Sequence, residues 1–125
     1  MSRYNKDLGD FGETAAANYL QKKGYKILSR NYCVKGGEID IIAIKKSVIS
    51  FIEVKTRSSE LFGLPAEAVN RNKMKHMLTA AERYLTEHPS DNEISFDVIE
   101  VYARFDDETP VVFKINHIPN IVMEV

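Results

Sequence analysis

The sequence predicts a mixed α/β domain, with a central sheet covered by helices on both faces. Three observations carry this expectation. Two β-branched runs, residues 38–44 and 48–56, are separated only by Lys45-Lys46-Ser47, which is short enough for an antiparallel hairpin. Both runs are almost continuously apolar, as strands covered on two sides are. A segment of helical period, residues 71–87, separates the third strand from the fourth, and a helical crossover suits a parallel pair in a mixed sheet. The predicted order is α-β-β-β-α-β-β.

The first helix is expected over residues 8–23, with Asp7 as N-cap and Gly24 as the C-terminal stop. Leu8, Phe11, Ala15 and Tyr19 recur at helical spacing and face the core. Glu13 falls at the edge of that arc, beside Leu20, where it can look along the sheet. Residues 25–32 read as the first strand. Alternation places Glu38 and Asp40 on one face of the second strand, and Glu53 and Lys55 on one face of the third. Residues 58–64 read as a loop closed by Pro65, followed by a turn at 66–69. Met74, Met77, Leu78, Ala81 and Leu85 form the apolar face of the second helix, which His88-Pro89-Ser90 ends. Residues 94–102 and 111–118 are two further strands joined by Asp106-Asp107-Glu108.

A chain of 125 residues suits one domain over residues 1–125 with one core. No segment has the roughly 18 apolar residues that a bilayer span needs, and the first residues lack the apolar stretch of a signal peptide. Cys33 is the single cysteine, so no intrachain disulfide forms. It is expected as a small packing residue in a reducing cytoplasm. The net charge of −1 excludes a simple polybasic nucleic-acid binder, although local distribution matters more than the sum. Basic residues cluster at Lys22, Lys23, Lys26, Arg30 and Lys35, and again at Arg71, Lys73, Lys75 and His76. By default such clusters are solvated surface.

Charges inside apolar strands carry the functional signal. Burying a charge is costly unless it is paired or holds a metal. Asp40 sits within Gly36-Gly37-Glu38-Ile39-Asp40-Ile41-Ile42-Ala43, and Glu53 and Lys55 sit within Phe51-Ile52-Glu53-Val54-Lys55-Thr56-Arg57. Two carboxylates and an ammonium on adjacent strands suit metal-assisted phosphodiester hydrolysis. Asp40, Glu53 and the Val54 carbonyl offer hard oxygen ligands for Mg²⁺ or Mn²⁺. Lys55 can position or deprotonate a water, or stabilise charge on the phosphate. Glu13 can support the metal, and Glu38 is a weaker candidate. The plain alternative is a structural carboxylate–lysine pair across the hairpin.

These segments resemble the bacterial UPF0102, or YraN-like, family. Its relatives are the archaeal Holliday-junction resolvases of the PD-(D/E)XK, restriction-endonuclease-like superfamily. The matching blocks are Gly12-Glu13-Thr14-Ala15-Ala16, the two strands just quoted, and Glu67-Ala68-Val69 followed by Lys73 and Leu78. The resemblance implies an αβββαβ core with a mixed central sheet flanked by helices. It maps the signature acid onto Asp40, the (D/E)-x-K onto Glu53, Val54 and Lys55, and the N-terminal helical acid onto Glu13. The signature acid follows Ile39 instead of proline. Activity does not follow from fold alone.

Arg57 and Lys73 are candidate phosphate contacts, each otherwise a surface cation. His76, His88 and His117 have no metal-ligand spacing and are expected to be structural or exposed. Tyr4, Tyr25 and Tyr32 can stack on bases, though packing accounts for them equally well. Residues 115–125 can pack on the domain or on a second copy in a homodimer. The leading expectation is a metal-dependent endonuclease acting on DNA, branched or damaged. The alternatives are a nucleic-acid-binding module without cleavage and a dimeric assembly protein whose charges brace the sheet.

Overall fold

The described residues form two helices and five strands, in the order α1 (Arg3–Lys22), β1 (Lys26–Val34), β2 (Gly37–Lys45), β3 (Val48–Arg57), α2 (Arg71–Glu87), β4 (Glu93–Asp106) and β5 (Thr109–Ile118). The computed structural model describes residues 3–58 and 71–121, with side chains from residue 8 onward. The strands form one sheet in chain order, β1-β2-β3-β4-β5. β3 and β4 are parallel, and the other neighbouring pairs are antiparallel. The predicted α/β class and the crossover through α2 hold. The mixed sheet and flanking helices are consistent with a restriction-endonuclease-like core.

Alternation along the strands divides the interior in two. On one face α1 sets Leu8, Ala16, Ala17 and Leu20 against Ile41, Ala43, Ile52, Ile99, Val101 and Ala103. On the other face α2 sets Ala80, Ala81 and Tyr84 against Ile39, Ile42, Ile49 and Phe51. Each fully buried Ile or Phe stabilises this arrangement by about 1.5–3 kcal/mol. Two glycines permit the close approach of the helices. A Cβ at Gly12 would run into Thr56 Oγ1 of β3, and one at Gly37 would run into the carbonyl oxygen of His76 in α2.

Several expected boundaries move. α1 begins at Arg3, so Asp7 lies inside the helix and does not cap it. β1 runs on to Val34, and β4 continues four residues past Tyr102, because its ladder with β5 extends to Asp106↔Thr109. Ala80 and Tyr84 join the buried face of α2, whereas Leu78 and Leu85 are half-buried. Cys33 is exposed on β1 and is not a packing residue. The Pro65 loop, the turn at 66–69 and Glu67-Ala68-Val69 lie outside the described residues, as does the side chain of Tyr4. No described helix is long and apolar enough to cross a membrane.

One irregularity in β2 positions the candidate site. Ile39 belongs to the α2 core and Ile41 to the α1 core, so the strict alternation of faces breaks at Asp40. Asn31 lies opposite, between the pairs Arg30↔Ile41 and Tyr32↔Ile39, and has φ 52°. Asparagine tolerates that left-handed conformation better than most side chains. The β2–β3 ladder stops at Ile41↔Ile52, while β3 stays paired with β4 as far as Arg57↔Tyr102. β2 therefore leaves β3 just before Asp40, and a fork opens between the two strands.

Candidate functional site

The fork leaves the β3 edge beyond Ile52 without a strand partner on its β2 side. Asp40 fills part of that gap: its Oδ2 accepts a hydrogen bond from the Val54 N–H at 2.8 Å. Glu53, one residue earlier on β3, is only 7 % exposed. Its Oε1 is 3.2 Å from Lys73 Nζ, which also reaches Glu38 Oε1 at 3.4 Å. Glu53 Oε2 is buried and has no hydrogen-bond partner.

Electrostatics follows from this crowding. Burial first, and the Asp40 carboxylate second, push the Glu53 carboxyl up to about 8, against the opposing pull of Lys73. Burial pulls Lys73 down, but Glu53, Asp40 and Glu38 outweigh it and raise its pKa. Glu13 is also raised, by burial and then by Asp40, with Arg30 opposing.

These groups open on a cleft of about 390 Å³ lined by residues of α1 and β3 together with Asp40. Glu13 and Lys55 both line it, as sequence spacing suggested, and Asp10 lines it unforeseen. Gly12 explains how Glu13 comes so near, since α1 there rests directly on Thr56. Glu13 Oε1 is turned toward Arg30 Nη2 at 3.4 Å. Arg57 does not line the cleft; its Nε donates to Glu100 Oε2 at 2.9 Å. Lys73 is engaged with the two glutamates.

Among the described residues, Asp10, Glu13, Asp40 and Glu53 line the cleft with one lysine, Lys55. Such a lining repels a phosphodiester unless a cation sits in it. The orphaned Glu53 Oε2 beside a second carboxylate suits a hard divalent cation. Asp40 and Glu53 are the pair that fits. As the side chains stand, no three His, Cys, Asp or Glu among the described residues form a group that could hold a metal.

The family model described as "Uncharacterised protein family UPF0102" matches residues 12–101. The chain belongs to this family. A UPF0102 protein of Clostridium perfringens is 48% identical over 107 residues, covering 85% of this chain and 88% of its own. One from Caldanaerobacter subterraneus subsp. tengcongensis is 46% identical over 122 residues, 96% of this chain and 98% of its own. One from Chlorobium phaeobacteroides is 46% identical over 125 residues, 98% and 99% of the two chains. The matched span of this UPF0102 chain runs from Gly12 to Val101 and includes Glu13, Asp40, Glu53, Lys55, Arg57 and Lys73.

Two buried acids of this UPF0102 chain escaped the sequence reading. Asp97 and Glu100 on β4 are 1% and 0% exposed. The signal was present, since both interrupt an apolar strand as Asp40 and Glu53 do. Asp97 pairs with His117 at 2.7 Å and Glu100 with Arg57, so His117 is structural, as expected. Tyr32 packs edge-on to Tyr84, and Tyr25 packs against His117.

Proposed function

We propose that this protein is a metal-dependent endonuclease that hydrolyses phosphodiester bonds in DNA, branched or damaged DNA included. The observation that carries the reading is the pair of half-buried Asp40 and buried Glu53, mutually repelling and with one Glu53 oxygen unsatisfied, in a cleft that Asp10 and Glu13 also line. Mg²⁺ or Mn²⁺ held by these two carboxylates would supply a Lewis acid for a phosphoryl oxygen and a more acidic water. Asp40 is oriented for the task by the Val54 N–H. Lys55, exposed at the mouth of the cleft, steers the water or stabilises charge on the phosphate. Glu13 supports the cation from the α1 wall. Lys73 holds Glu53 and Glu38 in place until a cation arrives. The preference for DNA rests on the resemblance of the motif blocks to resolvases.

The test incubates the purified protein with labelled single-stranded, duplex, flap and four-way-junction DNA in Mn²⁺, beside Asp40→Asn. Removing a transition-state contact of this kind costs on the order of 10²–10³-fold in rate. Cleavage by the wild type and a loss of at least that size in the variant are expected. Equal cleavage by both proteins would sink the assignment, as would unchanged Mn²⁺ binding by Asp40→Asn in calorimetry.

A second reading is a nucleic-acid-binding module without useful cleavage. It draws on Lys73, whose ammonium already contacts Glu53, and on the turn of Glu13 toward Arg30. That reading requires salt-sensitive DNA binding that survives Lys55→Ala, with no cleavage of any substrate.

A further inference from the structure

We infer that duplex DNA lies along the β1–β2 turn and the first turns of α2, on one side of the cleft, and not across the β4–β5 turn. This deepens the endonuclease reading and rests on it for the place of the scissile bond. The lining of the cleft is the starting point. Asp10, Glu13, Asp40 and Glu53 cannot hold a polyanion, so the phosphate backbone needs cations outside the cleft.

The sheet topology sorts the available charges. β2 starts and β3 ends at the same edge of the sheet, because the two strands are antiparallel. The β1–β2 turn therefore stands beside the fork, and it carries exposed Lys35. α2 is held against this turn. Gly37 meets the backbone of His76 and Ala80, and Gly36 lies nearest to Thr79. Lys73 ties the start of α2 to Glu38 and Glu53. Arg71, Lys75 and His76 are exposed on these same turns. Arg71 and Lys75 are four residues apart, so they share one side of the helix. Lys35, Arg71, Lys75 and His76 thus form an exposed basic margin on the α2 side of the fork.

The opposite margin has the other sign. β4 runs parallel to β3 and continues four residues past the Arg57↔Tyr102 pair, roughly 13 Å further. Its turn presents Asp106, Asp107 and Glu108, all exposed. Arg104 offsets one of them, at 3.0 Å from Asp106. This turn lies two strands, about 10 Å, to the side of the fork as well as beyond it, roughly 16 Å away in all and more than one screening length at physiological salt. A backbone laid there would meet uncompensated repulsion. The net charge of −1 thus conceals two margins of opposite sign at one end of the molecule.

The test is a fluorescence-anisotropy titration of labelled duplex DNA from 50 to 200 mM salt (about, on the scale where such contacts respond), without divalent metal. The proteins are the wild type, K35E/K75E and D107N/E108Q. All four positions are exposed, and circular dichroism melts verify that each variant is folded. K35E/K75E is expected to raise Kd at least about tenfold and to flatten the log–log salt slope by about two. D107N/E108Q is expected to leave Kd within about twofold. Unchanged binding by K35E/K75E would overturn the inference, as would no binding by the wild type. Marked tightening by D107N/E108Q would place the duplex over the β4–β5 turn and overturn it equally. Binding that depends on Lys35 and Lys75, with no cleavage in Mn²⁺, would sink the endonuclease reading and leave this surface standing. Cleavage together with binding indifferent to both lysines would do the reverse.

Discussion

Buried carboxylates occur on two neighbouring strands, and their surroundings differ sharply. On β4, Asp97 Oδ1 accepts from Ser95 Oγ at 2.5 Å and from the Asn120 N–H at 3.2 Å, and its Oδ2 pairs with His117. Glu100 Oε2 pairs with Arg57, and its Oε1 accepts from Asn116 Nδ2 at 3.2 Å and Tyr102 Oη at 3.4 Å. Every oxygen of both acids has a partner. On β3, Glu53 has Lys73 on one oxygen and no hydrogen-bond partner on the other, and the Asp40 carboxylate opposes its charge. Burial of a charge therefore does not mark a functional site. Incomplete satisfaction does, because a native fold leaves very few buried polar atoms unpaired. The β4 acids hold the sheet together, and the β3 acid is kept in a state that a cation would relieve.

The sharpest break in that comparison comes from Glu100→Ala. It removes the buried carboxylate to which Arg57 Nε donates, from a guanidinium whose side chain is 13% exposed. Losing one partner of such a pair costs about 3–5 kcal/mol. Urea unfolding at neutral pH should show a loss of that size, and a loss below about 1 kcal/mol would remove Glu100 from the structural class.

Glu53→Gln should act with the opposite sign. The folded carboxyl is raised to about 8 from an ordinary value of 4.5. Its contribution to stability is thus fully present below about 4.5 and is lost as pH rises through about 8. The neutral amide escapes that loss. At pH 9, about one unit above the folded value, the variant should be more stable than the wild type by on the order of 1–3 kcal/mol, with little difference near pH 4. A thermal melting series across pH measures it, and a variant less stable at pH 9 would contradict the description of Glu53. Mn²⁺ should likewise raise the wild-type Tm more at pH 8 than at pH 5, since a cation competes with the proton on this acid.

Gly12→Ala probes the wall of the same site. The new methyl would collide with Thr56 Oγ1 and push α1 off β3, at a cost of about 1–3 kcal/mol. Adding Thr56→Ala should recover part of the loss, so a double-mutant cycle shows coupling if the contact is the cause. The smallest effect belongs to Arg30→Ala. Its pair with Glu13 is partly solvated, and exposed pairs are worth under about 1 kcal/mol. Nuclear magnetic resonance titration of Glu13 should nonetheless show its pKa moving further upward, because Arg30, with Asn31, opposes burial and Asp40 there.

The sequence by itself determined the order of elements and most of their extents. β-branched runs and helical periodicity are local signals, and β2, β3 and α2 appear within one residue of where those signals placed them. It also singled out Asp40, Glu53, Lys55 and Glu13, and all four line one cleft. What it could not do was rank them against Asp97 and Glu100. Asp40, Glu53, Asp97 and Glu100 all interrupt apolar strands in the same way, and the donors that satisfy the β4 pair come from residues up to 43 positions away. Simple alternation also placed no break in β2. Its pleat fails at Asp40, where Asn31 on the neighbouring strand takes a positive φ. Arg57 and Lys73 were legible as cations, yet the choice of carboxylate for each was settled by the parallel β3–β4 register and by the landing of α2 on Gly37. Pattern along a chain reports which side chains are buried. Only the assembled sheet decides which buried charges find partners, because those partners are distant in sequence and meet through register and helix packing.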